Sequence, residues 1–158
     1  MQRGFTMIEL VMVLILLGVL AVFAAPRFLA TSDIQARGLH DETLAYLRYA
    51  HKSAIAQRRT VCVTFTGTTG AVLTVAALAT ATSCTGNLVG PRGESPATVS
   101  ASGTVAYSGP PGNFNFNGLG QPINNAGVVL VAADLPPIQV SGASNSITVE
   151  AGTGYVHE

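Results

Sequence analysis

The sequence has no tryptophan and is poor in charge, since only 10% of its 158 residues are charged. Eight basic side chains balance eight acidic ones, so the overall charge favours no particular partner. Hydrophobic residues make up 48% of the chain, and much of that hydrophobicity lies in the first 25 residues. The remainder is rich in Thr, Ser, Gly, Ala and Val. Length and composition therefore predict one domain with a modest core, joined to an apolar segment.

Residues that carry catalysis or bind metals are sparse. The three histidines are scattered: His40 and His51 fall on a predicted helix, and His157 lies near the end of the sequence. No nucleophile and base stand at a catalytic spacing, and the Gly-rich stretches lack the lysine of a phosphate-binding loop. Two cysteines with no nearby histidine are too few ligands for a metal ion. We therefore expect no enzymatic activity, no cofactor and no metal site.

The only cysteines are Cys62 and Cys84. An even, low count suits one disulfide if this part of the chain lies outside the cytoplasm. Such a bond would close a ring of roughly 23 residues, which the chain-entropy model values at about 3 kcal/mol. The alternative is a pair of buried thiols that act as small hydrophobic side chains.

The N-terminal stretch RGFTMIELVMVLILLGVLAVFAAPRF spans residues 3–28. Between residues 5 and 25 it is apolar apart from Thr6, Gly18 and Glu9. As a helix, that segment would be roughly 31 Å long, about the thickness of the hydrocarbon layer of a bilayer. A carboxylate in the middle of a membrane costs on the order of 3 kcal/mol, and less near one end of the span. The presence of an acid in this apolar segment therefore predicts that Glu9 has a function that offsets the cost of placing its charge in the membrane.

An ordinary secretory signal is the alternative explanation of the apolar run. Its apolar region is shorter, about 7–15 residues, and is followed by a small-residue cleavage site. The triplet VFA at residues 22–24 could serve as such a site. The chain would then be a secreted soluble binding domain released by signal peptidase, with a mature N-terminus near Ala25.

The segment RGFTMIE at residues 3–9, followed at once by a long apolar helix, resembles the processing site of type IV pilins and type II secretion pseudopilins. Pro26 also lies where that family often has a proline. The resemblance implies a leader at residues 1–4, cleaved by a prepilin peptidase between Gly4 and Phe5, and N-methylation of Phe5. It implies a membrane and polymerisation helix at residues 5–25, and the other filament subunits, the inner-membrane assembly platform and the lipid bilayer as partners.

Cleavage after Gly4 would give Glu9 a cationic partner, the new α-amine of Phe5. The two groups are about one helical turn apart, so a pair within one chain is possible. The resemblance implies instead a pair between Glu9 of an incoming subunit and the amine of a neighbour, which would set the axial register. A third interpretation is that Glu9 reaches the lipid headgroups, although Lys and Arg suit that role better.

Two later stretches, LRYAHKSAIAQRRTVCVTF at 47–65 and ITVEAGTGYVHE at 147–158, resemble the minor-pilin group of this family. That group includes the H-type pseudopilins and the C-type minor pilin of the mannose-sensitive haemagglutinin (MSHA) pilus. The family implies a single-pass inner-membrane protein with its C-terminal domain in the periplasm, later incorporated into a filament. Loop charges do not settle the orientation, because Arg3 and Arg27 flank the two sides of the apolar run equally.

Helical periodicity continues over residues 26–60. Pro26 predicts a kink, and Thr31, Ser32 and Asp33 could cap a new helix, although one continuous helix fits equally well. Small and apolar residues recur in steps of three and four, which predicts a stripe that packs closely against a sheet. The members of this stripe are Ala36, Leu39, Thr43, Leu47, Ala50 and Ala54.

Another face of the same helix is basic, with Arg48, Lys52, Arg58 and Arg59 towards its end. The simplest interpretation is a solvated face with an ion pair between Arg37 and Asp41, worth a few tenths of a kcal/mol. The alternative is a DNA-binding minor pilin, whose binding would be electrostatic and salt-dependent. No aromatic side chains are interleaved to stack on bases, so contact with nucleic acid is the less favoured interpretation.

Alternation with a period of two replaces helical periodicity after Arg59 and predicts a β-rich domain over residues 61–158. Val61, Val63 and Phe65 share one face of the first strand, and a turn at 67–70 leads to a returning strand at 71–76. The segment 79–96 reads as a loop. Later strands are expected at 104–107, 113–117, 128–132, 137–140 and 146–150. The predicted fold is α+β, with a long N-terminal helix packed on an antiparallel sheet, as in pilins.

Overall fold

The computed structural model describes residues 6–29 and 31–158, and it describes side chains at 6–21 and 32–158. Helix α1 is Met7–Leu29 and helix α2 is Thr31–Gln57. Nine short strands follow, with a 3-10 helix at Ala132–Asp134 between the sixth and the seventh. The strands are β1 Val61–Phe65, β2 Gly70–Val75, β3 Gly86–Asn87, β4 Ala97–Ser100, β5 Phe114–Phe116, β6 Pro122–Ile123, β7 Ile138–Gln139, β8 Ser146–Val149 and β9 Val156–His157.

The strands form two antiparallel sheets. The larger sheet has the order β3-β2-β1-β5-β6, and β4 also pairs with β2. The smaller sheet has the order β7-β8-β9. Helix α2 packs against strands of both sheets. The predicted α+β class, a long N-terminal helical segment packed on an antiparallel sheet, is confirmed.

The small-residue stripe of α2 forms the helical side of the core. All six predicted members, from Ala36 to Ala54, are buried, and Ala50 and Ala54 are completely inaccessible. Five of the six share one core cluster with residues of both sheets, and Thr43 is the polar exception. The Thr43 hydroxyl donates to the Leu39 carbonyl and lies 2.8 Å from the Tyr107 hydroxyl, so this buried polar group is satisfied. Alanine at the contact lets the helix backbone lie close to the strands.

The predicted hairpin is present. β1 and β2 pair antiparallel in a register that sets Val61 opposite Val75 and Phe65 opposite Ala71. Gly67 has a φ of +63°, which a residue without a Cβ adopts at little cost. Gly70 also needs to be glycine, because a Cβ there would lie 2.6 Å from the Val99 carbonyl oxygen. The hairpin therefore depends on glycine at both ends of its turn.

Two predicted strands are wrong. Segment 104–107 contributes only a single bridge, between Tyr107 and Val140, because the chain turns at Gly103 with a φ of +66°. Segment 128–132 contributes only the bridge from Val129 to Ile123, and it then enters the 3-10 helix.

Four strands were not predicted: β3, β4, β6 and β9. Three of these are two residues long, which is too short for an alternation to show. β3 lies within the segment that was read as a loop. β4 is longer and buries alternate residues, but it follows directly on Pro96, the last residue of the segment that was predicted to be a loop.

The structure contains the Cys62–Cys84 disulfide, with Cα atoms 6.1 Å apart. Cys62 is on β1, and Cys84 lies in the segment between β2 and β3. The same segment is fastened by hydrogen bonds: the Thr60 hydroxyl donates to the Ala81 carbonyl, and the Ala76 amide donates to the Thr60 carbonyl. The disulfide therefore holds a loop with little regular structure against the start of β1.

A polar cluster attaches the following loop to α2. Arg92 hydrogen-bonds to Glu42 and to the Tyr46 hydroxyl, and its guanidinium lies 5.5 Å from the centre of the Tyr46 ring. The Tyr46 hydroxyl donates to Glu94. This hydrogen bond holds the pKa of Glu94 below its usual value, while burial is the largest of the effects that raise the pKa of Tyr46. The loop before β4 is thus attached to the middle of α2.

The C-terminal segment also returns to α2. Arg48 Nε donates to the Val156 carbonyl at 3.0 Å, and His51 Nε2 donates to the Thr153 carbonyl at 3.1 Å. The Glu158 carbonyl and then the Glu150 carboxylate raise the pKa of His157. These contacts fix β9 beside the second half of the helix.

We expect Ala50→Leu to destabilise the protein, because the larger side chain has no space between α2 and the sheets. Overpacking of this kind typically costs about 1–3 kcal/mol. The matched control is Ala45→Leu, since Ala45 is an exposed alanine of the same helix. Urea unfolding of the full chain in mild detergent should give a lower free energy of unfolding for the first variant alone. Equal stability of the two variants would contradict the packing described here.

We expect replacement of both Cys62 and Cys84 by serine to lower the free energy of unfolding by about 3 kcal/mol, because the closed loop regains entropy when unfolded. The thermal midpoint of the variant should match that of reduced wild type. On non-reducing electrophoresis, wild type should run faster than the reduced protein. Free labelling of both thiols by maleimide in native, unreduced protein would show that the bond is absent.

Candidate functional site

Helix α1 exposes its apolar side chains on every side. Twelve large hydrophobic residues between Met7 and Leu20 are exposed, and even the least exposed, Val11, is 46% accessible. Glycine at position 18 has open space around it, with nothing within 4 Å of where a Cβ would be. A helix that is apolar all round belongs inside a protein core or a lipid layer. No described residue of this chain supplies such a core to the described side chains of α1.

The first turn of α1 is capped by a side chain. Thr6 precedes the helix, and the Glu9 amide donates to the Thr6 hydroxyl at 3.4 Å, which is a long hydrogen bond. Glu9 therefore occupies the third helical position, where a carboxylate also interacts favourably with the helix dipole. The sequence pattern that would have predicted this cap is threonine followed three residues later by glutamate.

The Glu9 carboxylate is exposed and has no cationic partner among the described residues. The ion pairs of the described part of the chain join His40 to Asp41, Arg92 to Glu42 and His157 to Glu150. No ion pair with a described residue therefore competes with the predicted pairing of Glu9 to a neighbour's amine. The pairing itself stays a prediction.

Gly4, Phe5 and Pro26 are the predicted site residues whose side chains are not described. Gly4 and Phe5 lie outside the described residues. Pro26 falls within the span of α1, Met7–Leu29, so the helix does not end there, and the expected kink stays a prediction.

Taken over the described residues, no helix combines the length and the hydropathy that crossing a membrane requires.

The four basic residues of the nucleic-acid hypothesis are all exposed. Arg48 is already engaged by the Val156 carbonyl, and Arg58 has a φ of +51°, beyond the end of α2. Lys52 and Arg59 form no ion pair with any described residue. Nothing in this arrangement adds a base-stacking surface to the positive charge.

The predicted ion pair between Arg37 and Asp41 is wrong. Asp41 Oδ1 lies instead 3.2 Å from Nδ1 of His40, its neighbour in the chain. Arg37 lines the same cavity but forms no ion pair with a described residue.

Comparison with known proteins identifies the N-terminal segment. Residues 1–25 match the protein-family model of the prokaryotic N-terminal methylation motif. The chain carries a type IV pilin-like prepilin signal. The matched residues include Gly4, Phe5, Glu9 and all the exposed apolar side chains described for α1. No curated protein and no solved structure matches the chain.

The prepilin signal indicates a protein that is processed as type IV pilins and pseudopilins are. The family of proteins that carry this motif is structural. The signal and the exposed helix belong to the same stretch of chain, so the candidate functional site is α1 with the residues that precede it.

Proposed function

We propose that this chain is a minor pilin or pseudopilin, a structural subunit that assembles into a filament through α1. The observation that supports this most directly is the prepilin signal at residues 1–25, which leads into a helix whose described side chains are exposed and apolar on every side. A processing signal alone would suit any prepilin-like protein. The exposed helix adds the surface through which such a protein would polymerise.

Burial of this surface would supply the free energy of assembly. Each fully buried Leu, Ile, Val or Met side chain contributes about 1.5–3 kcal/mol relative to exposure in water. Twelve such residues are exposed between Met7 and Leu20, so the helix requires an apolar environment at every stage. In this proposal, lipid provides it before assembly, and the helices of neighbouring subunits provide it afterwards.

Glu9 would specify the register of that packing. Apolar side chains slide past one another with little directional preference, whereas a carboxylate in an apolar bundle is strongly destabilised until it meets a cation. The free α-amine of Phe5 in a neighbouring subunit would be that cation. Because α1 has a single acid among its described residues, one axial position would be favoured over the others.

The proposed life cycle places the globular domain outside the cytoplasm. A prepilin peptidase at the inner membrane would cleave after Gly4 and N-methylate Phe5, and the assembly platform would then add the subunit to the filament. The periplasm is oxidising, which agrees with the Cys62–Cys84 disulfide. The MSHA-like or type II secretion assignment rests on the sequence resemblance of residues 47–65 and 147–158.

The alternative is a soluble domain released by signal peptidase. It would discard the twelve exposed apolar residues and Glu9, so neither would need a function in the mature protein. The mature N-terminus distinguishes the two: methylated Phe5 supports the filament subunit, and a start near Ala25 supports the released domain. Mass spectrometry of the protein purified from membranes measures this directly.

We expect Gly4→Val to block processing, because a β-branched side chain should not fit a peptidase site that accepts glycine. The precursor should remain in the membrane fraction and migrate more slowly on electrophoresis. The matched control is Gly18→Val, since position 18 has open space around it and lies beyond the cleavage site. Normal maturation of Gly4→Val would remove the prepilin peptidase from the proposal.

We expect Glu9→Ala to be cleaved and retained in membranes but to be scarce in sheared filaments. The neighbour's amine would be left without a partner on docking, and uncompensated buried charges cost roughly 3–5 kcal/mol at the extreme. Glu9→Gln should be intermediate, because its amide oxygen still accepts a hydrogen bond. Quantitative immunoblots of the membrane and filament fractions measure the ratio.

The matched control for Glu9 is Asp33→Asn, which neutralises an exposed acid in the first turn of α2. This variant should enter filaments as wild type does. If Glu9→Ala enters filaments as readily as wild type, the register function of Glu9 is wrong even where the filament assignment holds.

A further inference from the structure

Three potential metal ligands meet where the start of α2 faces the end of the described chain. His40, Asp41 and Glu158 each offer one ligand atom, and these atoms all lie within 4.8 Å of one another. They line a surface cavity of about 310 Å³ together with Arg37, Ala143, Ser144 and Asn145. The histidine side chain is only 6% exposed, whereas the Asp41 side chain is 75% exposed. The cluster thus combines one nitrogen of a buried imidazole with two carboxylates, of which at least that of Asp41 is exposed.

His40 is the buried ligand of this cluster. Its Nδ1 lies 3.2 Å from Asp41 Oδ1, and its Nε2 is buried with no hydrogen-bond partner among the described residues. Nε2 lacks a partner in either neutral tautomer, so coordination through Nδ1 creates no new unsatisfied group.

We propose that His40, Asp41 and Glu158 form a binding site for a divalent metal ion of the zinc class. His40 Nδ1 and one oxygen of each carboxylate would be the protein ligands, and water would complete the coordination. The two carboxylates outweigh the single guanidinium of Arg37, so the cavity has a net negative charge that attracts a cation. Asn145 Nδ2 donates to Glu158 Oε2 at 2.9 Å and orients that carboxylate, as outer partners of metal ligands do.

The donor set favours zinc over calcium. Zinc accepts one imidazole and two carboxylates readily and needs only four ligands. Calcium takes six to eight oxygen ligands, which three side chains do not supply. Zinc bonds of about 2.1 Å at tetrahedral angles would hold the ligand atoms about 3.4 Å apart. The His40 Nδ1 and Asp41 Oδ1 atoms, 3.2 Å apart, are already close to that spacing.

A metal ion here would join two parts of the fold that are distant in sequence. Asp41 lies in the first half of α2, and Glu158 directly follows β9, which Arg48 already fastens to the same helix. The ion would therefore connect the residue after β9 to the first half of α2. This inference goes beyond the proposed filament function, since it concerns the globular domain and does not depend on α1.

The test is zinc binding by the full chain in mild detergent, measured by isothermal titration calorimetry and by thermal unfolding. Wild type should bind one Zn²⁺ and unfold at a higher temperature with Zn²⁺ than without it, and Ca²⁺ at the same concentration should leave the midpoint unchanged. Glu158→Gln and Asp41→Asn should each weaken zinc binding at least about tenfold. Both substitutions are at exposed positions, so loss of folding does not complicate the result.

Two controls separate this site from other places where zinc could bind. Asp33→Asn removes an exposed acid of α2 outside the cluster, and His157→Gln removes the imidazole of the His157–Glu150 pair. Both should bind zinc as wild type does. Absence of binding by wild type, or equal binding by wild type, Glu158→Gln and Asp41→Asn, would overturn the proposal. Neither result bears on filament assembly, which the Glu9 variants measure separately.

Discussion

The close approach of α2 to the two sheets is the contact on which the rest of the fold depends. Five of the nine described strands have only two or three residues, and such strands are not stable by themselves. Two of these, β5 and β9, pack directly against α2, a helix with alanine at its centre of contact. Ala50 and Ala54 are completely buried, and Phe116 and Ile147 on the sheets are equally inaccessible. At this point of contact the sheets supply large side chains and the helix supplies alanine, so the helix and the sheets can lie close together.

The two helices differ in how their apolar side chains can be buried. α2 has one apolar stripe and a polar remainder, so the sheets of the same domain bury the stripe. The described part of α1 has no polar face apart from its first turn, so the domain cannot bury all of its apolar side chains. In the proposed filament subunit, hydrophobic free energy would be divided between folding, through α2, and association, through α1. Such a subunit would be folded and stable before it has any neighbours.

The parts of the fold that depend on local pattern could be predicted from the sequence. The stripe of α2 repeats over five turns, and the β1–β2 hairpin combines a clear alternation with a glycine turn, so both were correct. The strand predicted at 128–132 was wrong because that segment pairs with β6 only through a single bridge at Val129 and then enters the 3-10 helix that begins at Ala132. Strands β3 and β9 exist only because longer neighbours pair with them. No periodicity within two residues can indicate such pairing.

The same distinction applies to the functional residues. The prepilin signal is contiguous, so the residues from Gly4 to Glu9 could be identified from order and spacing alone. The cluster of His40, Asp41 and Glu158 depends on tertiary structure, because the end of the described chain must return to α2 before the third ligand is near the other two. Two cysteines alone are too few for a metal site, and they are joined to each other. The metal ligands proposed above are other residues, which only the fold brings together.

Contacts from three distant parts of the chain meet α2 at neighbouring positions near its middle. Tyr107 meets Thr43, Arg92 meets Tyr46, and the Val156 carbonyl accepts from Arg48. In a filament held together through α1, a load applied to the subunit would enter the globular domain through α2. Because these contacts lie side by side along the helix, displacement of α2 along its axis would have to break them together rather than one after another. A protein opens locally at the regions that have the fewest contacts. Because several loops are attached to the same part of α2, the globular domain should remain folded under such a load instead of losing one loop at a time.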